Sequence, residues 1–352
     1  MEPVGRRSEA YSAMRAIGRR NALRFSALRN PALVLVALAI PLAVPNDYVM
    51  GVITRICLYS ILALGLNVVV GFAGLLDLGY VAFFGIGSYT YAFLASPQFG
   101  VHLPFLVALP IVVVVSAMFG VLIGGPTLRL RGDYLAIVTL GFGEITYILL
   151  TNLDRPINIT GGPSGIISID APSFFGYTLK SDTQYYYLFV ALMGVVLLAS
   201  KRLRDSRIGW AWQAIREDEL AAQVMGVSTV RAKLQAFATG AAIAGIGGSL
   251  LASWQRSVFP DNFLFTESVN ILAMVILGGV GNLFGVILGA TVIVAMPEVF
   301  RDFILYRLFA FGILLMILMI FRPNGLLSFS PRRPQRVVEE AAATPQGASA
   351  DS

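Results

Sequence analysis

The residues best equipped for chemistry are few and scattered. Cys57 and His102 are the single cysteine and the single histidine, and the lysines are Lys180, Lys201 and Lys233 alone. One cysteine excludes a disulfide within the chain, and one cysteine with one histidine argues against a Cys/His metal cluster; Cys57, inside an apolar run, reads as a small packing residue. A phosphate-binding Gly-x-x-x-x-Gly-Lys-Ser/Thr loop needs a glycine before its lysine. Leu179, Ser200 and Ala232 stand there instead, so the chain cannot carry that loop and any energy for work comes from elsewhere. No polar site with a nucleophile, base or metal ligands is visible, which argues against a membrane enzyme.

Asp77 and Glu144 are the acids nearest the interior of apolar stretches. A carboxylate among lipid chains is costly, so each must face a partner, water or a protein core. Two readings stand: a proton or substrate site, or else a turn for Asp77 and a cap or cross-helix pair for Glu144. With Asn67, they are the candidates for a translocation pathway. No series of carboxylates and histidines recurs along the apolar stretches, which argues against a proton-driven pump.

The elements that must position these residues follow from composition. The chain is 57% hydrophobic and only 13% charged, whereas a soluble domain is about a quarter charged. This implies an all-α polytopic membrane protein packed as one bundle. Ten spans are predicted: Pro31 to Pro45, Gly51 to Val70, Leu78 to Ser96, Leu103 to Gly125, Tyr134 to Thr151, Tyr185 to Ser200, Leu234 to Ser253, Ser268 to Gly281, Leu283 to Val299 and Phe303 to Phe321. The first is short, but no clean small-x-small cleavage site follows it, so it reads as a span rather than a signal peptide. With the N-terminus inside, all of the 26 basic residues except Arg55, Arg155, Lys180, Arg256, Arg301 and Arg307 fall on the cytoplasmic side, as the positive-inside rule requires. Both termini are then cytoplasmic. Because these charges sit beside spans, the net charge of +6 is no nucleic-acid footprint.

Around the transmembrane region, residues 31–329, stand a basic tail at 1–30 and a tail at 330–352 that reads as disordered. The longest external segment, 152–184, carries the cluster TGGPSGI at Thr160 to Ile166. It is either a simple turn or a docking or gate loop. Glycine is abundant within the spans, where small residues let helices approach closely. Gly281, Gly285 and Gly289 recur at i, i+4, i+8 and are predicted to form one helix face, as are Gly240, Ala244 and Gly248. The stretch Gly71 to Tyr89 is too broken by glycine for one smooth helix and suggests a discontinuous or re-entrant part. It is echoed faintly at Leu277 to Ala290, consistent with an inverted repeat of spans two to five by spans seven to ten.

The cytoplasmic insert, residues 201–233, opens with basic residues suited to anionic lipid headgroups. Trp210 and Trp212 then suit a membrane interface. The charged group Arg216 to Glu219 would break any continuous apolar face. A short helix is predicted from Glu219 to Met225, with Asp218 as N-cap, Glu219 favourable at the dipole and Gly226 as the left-handed stop. Leu220 with Val224, and Ala221 with Met225, stand at i, i+4 and would form a compact knob able to fit a protein groove.

The run AIREDELAAQVMGV, Ala214 to Val227, resembles the "EAA" loop of ABC-importer permeases, with Ala221, Ala222 and Gly226 in the Ala-Ala-x-x-x-Gly positions. Together with LGLNVVVGFAGLLDLGYVAFFGIGSYT (Leu64 to Thr90), LRGDYLAIVTLGFGEI (Leu130 to Ile145), TGGPSGI, LGGVGNLFGVILGA and FRPNGLL (Phe321 to Leu327), it makes residues 31 to 330 similar to LivM-type permeases of branched-chain amino acid importers. Leu220 departs from the general motif's Glu, and Asp77 and Tyr80 replace an expected Ser and His. The resemblance implies a cobalamin-importer-like bundle in the bacterial inner membrane. Its implied partners are a LivH-type permease, two cytoplasmic ATPases that bind ATP and Mg, and an external solute-binding protein; no cofactor is expected in this chain. It further implies that Asp218, Glu219, Leu220, Ala221, Ala222, Val224, Met225 and Gly226 form the ATPase-coupling element. Related permeases serve urea, amides or aromatic acids, so the substrate class stays open at this point.

Overall fold

In lipid every backbone donor and acceptor must be satisfied within the protein, which makes a long apolar run a helix. The computed structural model describes residues 46–127, 132–154, 158–174 and 177–299, with 41, 312, 313, 316 and 325–327 besides. Both predicted tails, the last predicted span apart from three residues, and the first apart from residue 41 lie outside the described residues.

Helices occupy the eight remaining predicted spans: α1 (Asp47–Leu66), α2 (Tyr80–Leu94), α3 (Phe105–Thr127), α4 (Asp133–Asn152), α5 (Asp182–Arg204), α8 (Thr229–Gln255), α9 (Phe265–Gly278) and α10 (Leu283–Val299). Two short helices, α6 (Arg207–Glu217) and α7 (Glu219–Val224), lie between α5 and α8. Six segments are long and apolar enough to cross a membrane, while α2 and α10 are shorter apolar helices. The described residues thus form a multi-pass helical membrane protein.

Helix α8 is the centre. Of its most apolar window, 78% is buried inside the protein, against 22% for α5 at the periphery, and it packs along α1, α2 and α3. Small residues permit this. Gly240, Ala244 and Gly248 are all buried, as their spacing predicts. An ideal Cβ at Gly248 would lie 2.5 Å from both Phe84 O and Ser88 N of α2. At such close approach dispersion replaces the hydrophobic drive that lipid cannot supply. Hydrogen bonds join the same helices: Ser88 donates to Gly248 O at 3.1 Å and Tyr80 to Gly240 O at 3.3 Å.

The second glycine face needs correction. Gly285 and Gly289 lie on α10 and let it press against the α9 backbone at Gly278 and Met274. Gly281, however, sits in the α9–α10 turn with φ +89°, two residues after Gly279 at φ +108°. A right-handed helix cannot run through such angles, so the face ends before it begins.

The stretch after α1 is discontinuous, as expected. The helix widens into a π-helical turn at Asn67–Phe72 and stops; residues 73–79 then run irregularly until α2 starts at Tyr80.

The described residues of the segment between α4 and α5 are strapped down by strand pairing. Strand β1 (Ile166–Ile167) pairs antiparallel with β4 (Ser257–Val258), which directly follows α8, and β2 (Ser173–Phe174) pairs with β3 (Tyr177–Thr178). Ile169 N donates to Arg256 O at 3.0 Å, and Asp170 N to Ala95 O at 2.8 Å. The Asp170 carboxylate also meets His102 Nδ1 at 2.5 Å.

Two substitutions separate packing glycines from idle ones. Gly248→Val should destabilise the protein by about 1–3 kcal/mol or more, because the α2 backbone cannot yield to the added atoms. Gly194→Ala, on α5 with nothing within 4 Å of its Cβ position, should stabilise it by roughly 0.4–1 kcal/mol. Thermal melts in detergent read both; equal melting points would contradict this account of the α2–α8 contact.

Candidate functional site

The insert at residues 201–233 folds as a helical elbow. Helix α5 runs to Arg204 and α6 starts at Arg207, with the Ser206 hydroxyl accepting from Gly209 N at 3.3 Å. Along α6, Gly209, Trp212 and Ile215 face inward. Trp212 corrects the interfacial expectation: it is fully buried, and its indole N–H donates to Ala232 O at 2.7 Å in the first turn of α8. The reason is helical phase, since the residue two positions earlier, Trp210, points outward and is 72% exposed. Trp212 therefore pins the insert to the base of α8.

Asp218 ends α6 and begins α7. Its extended backbone (φ −156°, ψ 115°) breaks the helix, and its Oδ1 accepts from Leu220 N at 2.8 Å and Ala221 N at 2.9 Å. This is the predicted N-cap. Met225 closes the helix and Gly226 follows at φ +85°, the left-handed stop in which a side chain is strained. Of the eight residues singled out in sequence, Ala222 is buried, Glu219 is half-buried and the rest are exposed. Leu220 is 58% exposed, Met225 83% and Val224 86%. An apolar knob thus projects into solvent on a short, doubly capped helix. Glu219 faces back: its Oε1 accepts from Lys233 Nζ at 2.6 Å, and Lys233 is 4% exposed at the base of α8. A buried cation so placed needs its carboxylate partner, so the pair holds α7 against α8.

Beneath the insert lies a cavity of about 190 Å³ bounded by Gly74, Leu76, Asp133, Arg216, Glu219 and Lys233. At its inner wall Arg216 Nη1 donates to Gly71 O, in the π-helical turn that follows α1. Close by, Asn67 Oδ1 accepts from Gly281 N at 2.8 Å, joining α1 to the α9–α10 turn.

The three pathway candidates lie on three different elements. Asn67 is fully buried, and its Nδ2 has no hydrogen-bond partner among the described residues. Asp77 is buried in the turn before α2, with Oδ1 accepting from Gly79 N at 2.9 Å. Glu144 is half-buried on α4, with no hydrogen-bond or ion-pair partner among the described residues. Tyr80, which departs from the expected His, packs in the core against α8. Sequence reasoning missed Arg216 and Lys233 as individual contacts. Arg216 meets a carbonyl 145 positions away, and no local spacing announces that; Lys233 could have been found as the lone lysine heading an apolar helix, fourteen residues after an acid.

The chain resembles known proteins along most of its length. A family described as branched-chain amino acid transport system / permease component matches residues 48–322. The high-affinity branched-chain amino acid transport system permease protein LivM of Salmonella typhimurium is 45% identical over 327 residues, covering 86% of this chain and 75% of that protein. LivM of Escherichia coli is 45% identical over 335 residues, covering 89% and 77%. LivH of Escherichia coli, a second permease protein of that kind, is 23% identical over 285 residues, covering 76% and 91%. No solved structure matches the chain. A family match across most of the chain and this level of identity leave one conclusion: the chain belongs to the branched-chain amino acid transport system permease family.

Proposed function

We propose that this chain is a transmembrane subunit of an ATP-driven importer for branched-chain or other hydrophobic amino acids, and that separate ATPase subunits drive it through α7. The observation that carries the mechanical part is the exposed knob of Leu220, Val224 and Met225 on a helix held to the bundle by Lys233 and Trp212. Solvated apolar side chains on a rigid, capped helix are costly unless a partner covers them. A groove in an ATPase subunit would do so, with Asp218, Glu219, Ala221, Ala222 and Gly226 fixing the helix rather than making the contact.

The similarity to LivM supports the substrate class, and the further similarity to LivH supports pairing with a second permease. The wider assembly of this reading has two ATPases, which bind ATP and Mg, and an external solute-binding protein facing the strapped segment. Within it the bundle has about ten spans of cobalamin-importer type, the first and last lying outside the described residues. The chain sits in the bacterial inner membrane with both termini cytoplasmic. Asn67, Asp77 and Glu144 remain candidates for the translocation pathway in this reading.

The coupling role is tested in vesicles holding the whole assembly. Val224→Asp places a charge on the knob without disturbing a buried contact, and should lower amino acid uptake about tenfold at unchanged melting temperature. Gly226→Glu adds strain of roughly 1–2 kcal/mol at a positive φ and should lower uptake further. Uptake at the wild-type rate in both variants would defeat the assignment. Removing the cap with Asp218→Ala should cost about 1 kcal/mol and reduce uptake less than Val224→Asp does.

Sidedness is read by thiol labelling in a Cys57→Ser background, since Cys57 is the single native thiol and is buried. A membrane-impermeant maleimide should reach Met225→Cys only from the cytoplasmic side and His102→Cys only from the opposite side. Labelling of both from one side would overturn the topology.

A further inference from the structure

We propose that Arg216 is the positioning residue that carries movement of α7 into the membrane-spanning bundle, by gripping the broken end of α1 at Gly71. The proposal rests on the coupling role of α7 and names the route by which that role reaches the bundle.

The argument begins with unmet carbonyls. A helix leaves its last carbonyls without intrahelical donors, and a cation there both satisfies them and complements the dipole. The π-helical turn that extends α1 ends inside the protein at Phe72, and its Gly71 and Phe72 are buried. Gly71 O receives its donor from Arg216, a residue of the cytoplasmic insert and not of the bundle. The end of a spanning helix is thus capped by the element on which an outside partner would pull.

The surroundings are built around this one side chain. At Gly74, with φ +70°, an ideal Cβ would fall 2.9 Å from Arg216 Cγ, so the absent side chain admits the arginine stem. At Gly281 the corresponding position lies 3.1 Å from Arg216 Nη1 and 3.4 Å from Gly71 O. Two glycines from opposite ends of the chain therefore clear space for one guanidinium. Asn67, bonded to Gly281 N, ties α1 and the α9–α10 turn together at the same point. Whatever shifts Arg216 meets both breaks at once.

Between Arg216 and α7 there is no slack. Arg216 lies in the last turn of α6, and Asp218 is at once the C-cap of α6 and the N-cap of α7. The cavity of about 190 Å³ beneath gives the arginine stem room to travel. On the far side Lys233 holds α7 to α8. Helix α7 is therefore tied to the end of α1 through Arg216 and to the base of α8 through Lys233 and, by way of α6, Trp212.

The test uses the assembled importer in vesicles, with ATP hydrolysed per amino acid transported as the readout beside melting temperature. Arg216→Ala should lower transport about tenfold while hydrolysis falls much less, so that the ratio rises; Arg216→Lys, which keeps a donor within reach of Gly71 O, should recover part of the loss. An unchanged ratio in Arg216→Ala would overturn the proposal, whether transport is normal or transport and hydrolysis fall together with the melting temperature. Val224→Asp measured alongside separates the two readings. If that variant transports normally, the coupling role of α7 fails; if it is impaired while Arg216→Ala keeps the wild-type ratio, only the route through Arg216 fails.

Discussion

A helix that stops inside a membrane protein leaves carbonyl oxygens that lipid cannot satisfy, and the structure is arranged around supplying their donors. The break after Phe72 is where this constraint is sharpest. Leu75 N donates to Val69 O and Ala73 N to Val68 O, which closes part of the end, while Gly71 O is met from the insert by Arg216. The second break, between α9 and α10, is met by Asn67 and by the backbone of residues 326 and 327, which donate to Leu277 O and Gly278 O. Each interruption is completed by a segment distant in sequence. The breaks consequently tie together segments that are far apart in the chain.

Between the breaks, packing is a matter of absent side chains. Gly87 meets Gly245, Gly248 meets the α2 backbone, and Gly289 meets α9 at distances no Cβ could occupy. Such contacts are unforgiving in one direction and cheap in the other, because a glycine costs a helix about 1 kcal/mol but admits a whole neighbouring backbone. The outward faces show the complement: Leu106, Val114, Met118 and Leu122 on α3 and Ile137, Ile145 and Ile148 on α4 are exposed and apolar, as a lipid-facing surface should be.

Much of this was legible in the sequence because its signals are local. Apolar runs place eight helices to within a few residues, and Asp218 with Gly226 brackets α7 because caps and stops act over three or four positions. What stayed illegible is non-local. Gly281, Gly285 and Gly289 share helical spacing, yet spacing does not reveal that Gly279 and Gly281 take positive φ and end the helix. Trp212 and Trp210 look alike in composition, and only the phase of α6 against α8 separates an anchor from an exposed ring. The pairing of Arg216 with Gly71 depends on how α6 docks against α1, which no single stretch encodes.

The strap that pairs β1 with β4 fixes one end of the central helix. Where α8 ends at Arg256, that carbonyl accepts from Ile169, and the next two residues pair with β1. Its opposite end meets the insert through Trp212 and Lys233 and α3 through Leu234 and Phe237, which pack at Gly124. At 27 residues α8 is about 40 Å long, which is the distance it spans between the strap and the insert. One continuous helix therefore joins the strap at one end of the bundle to the insert at the other.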